Sequence, residues 1–384
     1  MIMKKLLSIL LTLVMLLSMV ACASSSANEN KQESAAPATD SYKIAVAAAL
    51  SGGSAEEGSY IKNGVQLVVD EINEAGGING KKVELVSYDD QNDPKNAATV
   101  ANAIAADDSI LAVVGHTNSS CSLAAAAVYE DAGIPQIICS ASSPKISDAG
   151  EYIFRVWNSD TYTASVHVHT MLNKGYKTIG VIYENNDYGL GALNVTESVL
   201  AENDMKVAVA EGYLLGETKD FTTILTKMKD AGVDAIFSIS GETELPLMIQ
   251  QAHAIDYYPF FTSTSTYQST VIEIGGADVD GLYGATFFDP NKLPDRVAEY
   301  YESFKKHYNT DHVAATACTS YIAGTMLMDA LKSGAVTRDA IRDYLNSGLS
   351  FDTMIGELKF DENGDTEIPL QRIVIKDGAF VGAD

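Results

Sequence analysis

The chain has 384 residues, with 26 Lys and Arg against 51 Asp and Glu and a formal net charge of −25. It has no basic stretch that could track a phosphate backbone or an anionic lipid surface, so nucleic-acid binding is excluded as its business. The length is more than one hydrophobic core usually serves, so two lobes are expected, and the acidity suits the solubility of an exported protein.

The first elements are not structural. Lys4 and Lys5 precede the apolar run Leu6 to Val20, which is followed by Ala21 and Cys22. That run falls short of the roughly 20 residues a helix needs to span a bilayer. Residues 1–21 therefore read as a secretory signal, cleaved before Cys22, whose sulfur then carries lipid. The alternative is an uncleaved hydrophobic anchor. Residues 22–41 hold almost no large apolar side chain and cannot bury enough surface to fold. They read as a flexible tether.

From Tyr42 onward strand and helix signals alternate, which predicts α/β lobes with parallel sheets. KIAVAAAL is a buried strand. Ile61, Val65, Val68 and Ile72 recur at helical spacing, and Gly76 and Gly77 stop that helix. KVELVSY is a strand running into the acidic loop DDQNDP. ILAVVG (110–115) is the next strand, followed by the loop GHTNSSC and the helix SLAAAAVYEDAG. IPQIICS ends in the loop SASSPKIS, and a helix starting near Asp160 leads into the second lobe. There KTIGVIYE, KVAVAEGYL, VDAIFSIS, FFTSTSTY and GLYGATFF read as strands, separated by helices such as DFTTILTKMKDAG and ELPLMIQQAHAI. The helices PDRVAEYYESFKKHY and YIAGTMLMDALKSG are assigned back to the first lobe.

The string INEAGGINGKKVELVSYDDQNDP resembles a signature of the branched-chain amino-acid type of extracytoplasmic solute-binding protein, the receptor component of ABC importers. The likeness runs over nearly all of residues 42–384. It implies a type I periplasmic-binding-protein fold: two Rossmann-like lobes joined by a hinge of three crossings. The first lobe would comprise residues 42–160 and 290–351. The second would comprise 161–289 and 352–384, including a terminal β-hairpin region. Ligand closes the cleft of such a fold by holding both lobes.

Ligands of open α/β sheets bind beyond the carboxyl ends of the strands. In the first lobe those ends carry GHTNSSC and CSASSP, rich in small hydroxyl residues, and one opens a helix whose free N–H groups suit a carboxylate. The resemblance implies that Ser119, with Ser120 beside it, and then Ser140, Ala141 and Ser142 hold the carboxylate and ammonium of an amino acid. Taken alone, such serines would merely cap helices and turns. Tyr188 matches a tyrosine at the rim of the second lobe. Elsewhere the chain departs from the branched-chain pattern. Glu57 stands where an aromatic residue commonly flanks the substrate, and Gly241 and Glu242 where a tyrosine is common. Ser265 stands where an acidic residue commonly pairs with the ammonium. A buried ammonium without a partner is costly. Either Glu57 or Glu242 supplies that carboxylate, or the ligand has no ammonium there. Polar, cationic or aromatic amino acids and other small carboxylates stay open.

Other signals point away from chemistry. His167 and His169 lie two apart on a helix and cannot share a metal. His307 and His312 flank a helix end. DENGD (361–365) lacks the glycine and glutamate of a calcium loop, since Thr366 and Arg372 stand there, and reads as a turn. No hydrolase, zinc-protease or nucleotide motif is present, so neither an enzyme nor a cofactor is expected. Family members often carry a disulfide at the positions that here hold Asn92 and Asn118. Cys121 and Cys139 either approach each other or are separate buried thiols. The expected partners are a small ligand, permease and ATPase subunits, and the outer face of the cytoplasmic membrane through the lipid on Cys22. A sensor using the same fold is the alternative.

Overall fold

The computed structural model describes residues 41–289, 291–310 and 313–383. The signal, the tether, Cys22 and His312 lie outside the described residues.

The first lobe is built on five parallel strands in the order β2-β1-β3-β4-β5. These are β1 (Ser41–Ala48), β2 (Lys82–Asp89), β3 (Ile110–Gly115), β4 (Gln136–Ile138) and β5 (Ile153–Arg155). Helix α1 (Ala55–Glu74) carries the predicted apolar stripe into the core, with Ile61, Val65 and Val68 buried. It ends at the glycine pair, where Gly76 and Gly77 take φ of 102° and 80°. Helices α2 (Pro94–Ala105) and α3 (Ser119–Asp131) cover the other face of the sheet, packing Ile104, Ala125 and Tyr129 against it.

The second lobe follows at α4 (Asp160–Asn173). Its sheet has the order β14-β13-β10-β9-β8-β6-β7, in which β13 is Gln371–Lys376 and β14 is Ala379–Gly382. Strands β6 (Ile179–Glu184), β7 (Val209–Tyr213), β8 (Ala235–Ile239), β9 (Phe260–Ser263) and β10 (Tyr283–Thr286) run parallel. Helices α4 and α5 (Asp187–Glu202) cover one face. Helices α6 (Thr222–Asp230), α7 (Glu244–Ala254) and α8 (Ser269–Gly275) cover the other.

The chain then returns to the first lobe with α9 (Asp295–Tyr308), α10 (Ala315–Lys332) and α11 (Arg338–Leu345), whose apolar faces join the α1 side of that core. Helices α1 and α10 meet almost backbone to backbone. A Cβ on Gly64 would lie 2.1 Å from Ser320 Oγ and 2.5 Å from the Ala317 carbonyl oxygen, so glycine is the residue that fits.

The assignment of residues 352–384 to the second lobe needs correction. Strands β11 (Phe351–Thr353) and β12 (Gly356–Leu358) form a separate two-stranded ribbon. Phe351, Met354, Leu358, Phe360 and Ile368 belong to the first lobe's core, and the Phe360 ring meets Phe154 edge-on at 5.1 Å. The third crossing therefore falls near residue 369. Only β13 (Gln371–Lys376) and β14 (Ala379–Gly382) join the second sheet, antiparallel to β10 and to each other. The physical reason is burial: the apolar side chains up to Ile368 find their nearest apolar surface on the first lobe.

Arg155 ties these parts together. Its side chain is 0% exposed and donates to both carboxylate oxygens of Asp365, at 2.8 and 2.6 Å. It also donates to the Ser143 carbonyl at 2.9 Å and to Ser147 Oγ at 2.8 Å. The segment DENGD is thus a turn, closed by Asp361, that delivers Asp365 to this arginine. Removing one partner of a buried ion pair strands the other. Arg155→Met is expected to lower the unfolding free energy by about 3–5 kcal/mol in urea titrations. A loss below about 1 kcal/mol, the level of a surface pair, would show that the pair is not structural.

Candidate functional site

The carboxyl ends of both parallel sheets open on a cleft of about 790 Å³ between the lobes. That is the location expected for a ligand of doubly wound sheets. All nine residues singled out from the sequence line this one cleft: Glu57, Ser119, Ser120, Ser140, Ala141, Ser142, Tyr188, Glu242 and Ser265.

On the first lobe, Ser119, Ser120 and Cys121 form the first turn of α3 rather than the preceding loop. The first N–H groups of a helix lack intrahelical acceptors. Asn118, the residue before the helix, makes no side-chain cap bond to them. This turn therefore presents backbone donors and a partial positive charge to the cleft. The serine hydroxyls around it are largely engaged within the protein. Ser119 Oγ accepts from the Ser143 N–H at 3.2 Å, and Ser140 Oγ donates to the Thr117 carbonyl at 2.6 Å. Ser142 Oγ donates to Asp160 Oδ2 at 2.9 Å.

Ser120 does something the sequence did not suggest. Its hydroxyl donates to Asp187 Oδ2 at 2.9 Å and accepts from the Asp187 N–H at 3.2 Å. Lys145 donates to the other carboxylate oxygen at 2.8 Å. Asp187 opens α5, so these bonds join the two lobes across the rim of the cleft. A Cβ on Gly191 would come within 2.9 Å of Pro144 Cδ, and glycine allows this approach of α5 to the first lobe.

On the second lobe, Tyr188 bonds Thr264 through its hydroxyl, and Ser265 Oγ donates to the Ser240 carbonyl at 2.5 Å. Ser265 is thus occupied in holding its own wall. The charge lies elsewhere. Glu184 at the end of β6, Glu242 after β8 and Glu244 at the start of α7 all line the cleft. Glu57, from the first turn of α1, faces them from the first lobe. Burial pushes the Glu57 carboxyl up to about 8, with Glu242, Glu184 and Glu56 adding like-charge repulsion. Burial raises Glu184 to about 7 against hydrogen bonds from Asn186 and Tyr213, and Glu244 and Glu242 push the same way. Glu242 is raised by burial and by Glu56 and Glu244. Glu244 alone among them has a basic partner, Lys219 at 3.3 Å.

Sequence reasoning missed Asp160 and Glu184 as site residues. Asp160 lines the cleft and is 0% exposed, and its Oδ1 has no hydrogen-bond partner. Burial raises it to about 7, opposed by the Ser142 hydroxyl and Arg155. In the sequence it marks only a helix start, where an acidic first turn suits the helix dipole. Glu184 sits at a strand's carboxyl end, so the rule that found the serine loops would have found it too. His167 is buried against the cleft while His169 is exposed, as their angular separation on a helix requires. Burial, with Arg372 nearby, lowers His167 to about 3, which keeps its ring neutral.

Cys121, Cys139 and Cys318 are free and buried. At the two positions where the resemblance implies a disulfide in other members, Asn118 donates its side-chain amide to the Asn92 side-chain oxygen. The same two loops are joined by a hydrogen bond. No group of His, Cys, Asp or Glu among the described residues is arranged to hold a metal ion.

Two α/β lobes closing on a polar cleft define a binding protein that takes small molecules between domains. Residues 41–375 match the periplasmic binding protein family model, and the chain belongs to that family. It is 32% identical over 85% of its length to the leucine-, isoleucine-, valine-, threonine- and alanine-binding protein of Pseudomonas aeruginosa, covering 88% of that chain. It is 29% identical, with the same coverage of each chain, to the Leu/Ile/Val-binding protein of Escherichia coli K12. The fold matches a leucine-binding protein of Thermotoga maritima at a TM-score of 0.80 and 24% identity, covering 89% of this chain and 97% of that one.

The raised carboxyls make the empty protein sensitive to pH. Their native values exceed the unfolded one, so the native state holds more protons between about pH 4.5 and 8. The stability this contributes is fully present below about pH 4.5 and is lost as pH rises through 7 to 8. Ligand-free protein should melt at a lower temperature at pH 8 than at pH 5.5, and Glu57→Gln should reduce that difference. An unchanged slope in Glu57→Gln would mean that Glu57 ionises without strain.

Proposed function

We propose that the protein is the extracytoplasmic receptor of an ABC importer, which captures an amino acid between its lobes and delivers it to the permease and ATPase subunits. It is exported by the signal at residues 1–21 and held at the outer face of the cytoplasmic membrane by lipid on Cys22, with residues 22–41 as tether. No helix among the described residues is long and apolar enough to cross a membrane. Family membership supports the binding role, and the curated relatives named above are amino-acid-binding proteins. They are solute-binding proteins, and the reading includes no reaction and no cofactor.

One observation carries the reading. The cleft opposes a helix start on the first lobe to a set of carboxylates beside it and across from it. In this assignment the ligand's carboxylate meets the free N–H groups at the start of α3, with Ser119 at its side. Its ammonium is paired by Asp160, whose unpartnered oxygen lies next to Ser142. That charge replaces the one Ser265 lacks. The arrangement favours an amine-bearing ligand over a simple carboxylate, because an unpaired buried carboxylate is costly.

The test is calorimetric titration of ligand-stripped protein with the common amino acids, after a thermal screen. A ligand at 100 times its dissociation constant stabilises by about 2.7 kcal/mol. At least one amino acid should bind, and Ser119→Ala combined with Ser142→Ala should weaken it more than tenfold. If no amino acid binds, the reading fails. If the double variant binds normally, the first-lobe assignment fails.

A further inference from the structure

Beyond the opening turn of α3, the cleft holds more carboxylates than one ammonium requires. Glu57, Glu184 and Glu242 all line it, and none has a Lys or Arg within ion-pair distance among the described residues. Neither Glu57 nor Glu242 has a hydrogen-bonding side-chain partner there. The basic side chain among the lining residues, Lys219, is engaged with Glu244. Asp160 is a separate charge beside Ser142, already taken by the ligand's ammonium in the reading above.

The carboxylates also come from opposite lobes. Glu57 belongs to α1, while Glu184 ends β6 and Glu242 follows β8. Closing the lobes presses like charges together, at an energetic cost that burial increases. A neutral aliphatic side chain leaves that repulsion in place. A cation between the lobes turns it into attraction on both sides, so closure itself becomes selective for positive charge.

Independent features of the cleft point the same way. Thr286 Oγ1 and Thr316 Oγ1 line it, are more than nine-tenths buried, and have no hydrogen-bond partner. These are acceptors or donors awaiting a polar ligand rather than an aliphatic one. Trp157 and Phe287 also line the cleft, their rings edge-to-face at 4.9 Å, and offer an aromatic surface for a guanidinium or for the alkyl stem of a long cationic side chain. The neutral His167 adds no opposing charge.

We propose that the ligand is an α-amino acid with a positively charged side chain, whose terminal ammonium or guanidinium sits between Glu57 of one lobe and Glu184 and Glu242 of the other. This rests on the amino-acid reading above and narrows it to a substrate class.

Matched pairs of ligands that differ in charge provide the test. Full-length protein in detergent, stripped of copurified ligand, would be titrated calorimetrically with L-arginine and its neutral isostere L-citrulline. L-lysine and its neutral counterpart L-norleucine would follow, with L-leucine and agmatine as controls. Arginine or lysine should bind at least tenfold tighter than its neutral partner and than leucine. Glu57→Gln combined with Glu242→Gln should narrow that gap at least tenfold while circular dichroism stays unchanged. If leucine or norleucine binds as tightly as the cationic amino acids, this inference is overturned and the amino-acid reading stands. If agmatine, which lacks the carboxylate, binds as tightly as arginine, the amino-acid reading itself falls.

Discussion

The buried Arg155 fixes where everything else can be. It lies at the end of β5, immediately before the chain leaves the first lobe. Its bidentate bond to Asp365 anchors the segment about to leave that lobe for the last time. Its bonds to Ser143 and Ser147 set the loop that carries Ser140, Ala141 and Ser142. Backbone bonds reinforce the arrangement: Arg155 donates to the Gly364 carbonyl, and Thr366 donates to the Arg155 carbonyl. Asn158 and Ile368 then exchange a pair of bonds, each at 2.7 Å. The first and third crossings therefore run as one bonded unit. Trp157 of the first crossing meets Phe287, which opens the second. Charged bidentate geometry is stronger and more directional than a neutral contact, so the hinge and one wall of the cleft share a single rigid origin.

Closure balances two sets of forces. The bonds of Asp187 to Ser120 and Lys145 favour the closed arrangement, but they lie at a partly exposed rim, where an ion pair is worth little. Within the cleft, Glu57 against Glu184 and Glu242 opposes closure. Burial raises these carboxyls first and the facing like charges raise them further, so protonation relieves part of that opposition. A ligand shifts the balance only by what it contributes differently to the closed and open states. For the cationic side chain proposed above, that difference is the neutralisation of facing carboxylates. Capture and discrimination are thus two aspects of one electrostatic change.

Much of the scaffold was legible in the sequence because it rests on repeating local rules. Alternating apolar strands and helices, stopped by glycines, gave the parallel lobes, and the strand-end rule led to the cleft. The failures share one cause. They concern side chains whose partners are distant in sequence. Ser120 and Asp187 meet across 67 positions, and Arg155 and Asp365 across 210. Asp160 marks only a helix start in the sequence, since it is the first residue of α4 after the Ser159 cap, and only the burial of its free oxygen marks it as something else. The ribbon at residues 351–358 looked like part of the terminal hairpin because its apolar alternation fits either lobe. Which lobe receives it depends on where Phe154 leaves room for Phe360, and no local pattern encodes that.

The two ends of the cleft differ in what would have to change for the ligand to change. The first-lobe end is made largely of backbone, namely the opening turn of α3, and of serines already bonded to backbone or to Asp160. The N–H groups persist whatever the side chains are, while Ser119 and Ser142 hold the loops that aim them. The opposite end is made of side chains at strand termini, where substitution leaves the sheet intact. Its geometry is nevertheless tight. A Cβ on Gly189 would lie 1.9 Å from the Glu184 carbonyl oxygen, so α5 presses directly on the strand end that presents this carboxylate. A Cβ on Gly241 would meet Glu244 Oε2 at 2.9 Å and Leu215 Cδ1 at 3.0 Å, so glycine there leaves room beside the acidic wall. Gly241 and the carboxylates of Glu184 and Glu244 beside it thus share one wall of the cleft, and the space that glycine leaves there is bounded by acids rather than by apolar side chains alone.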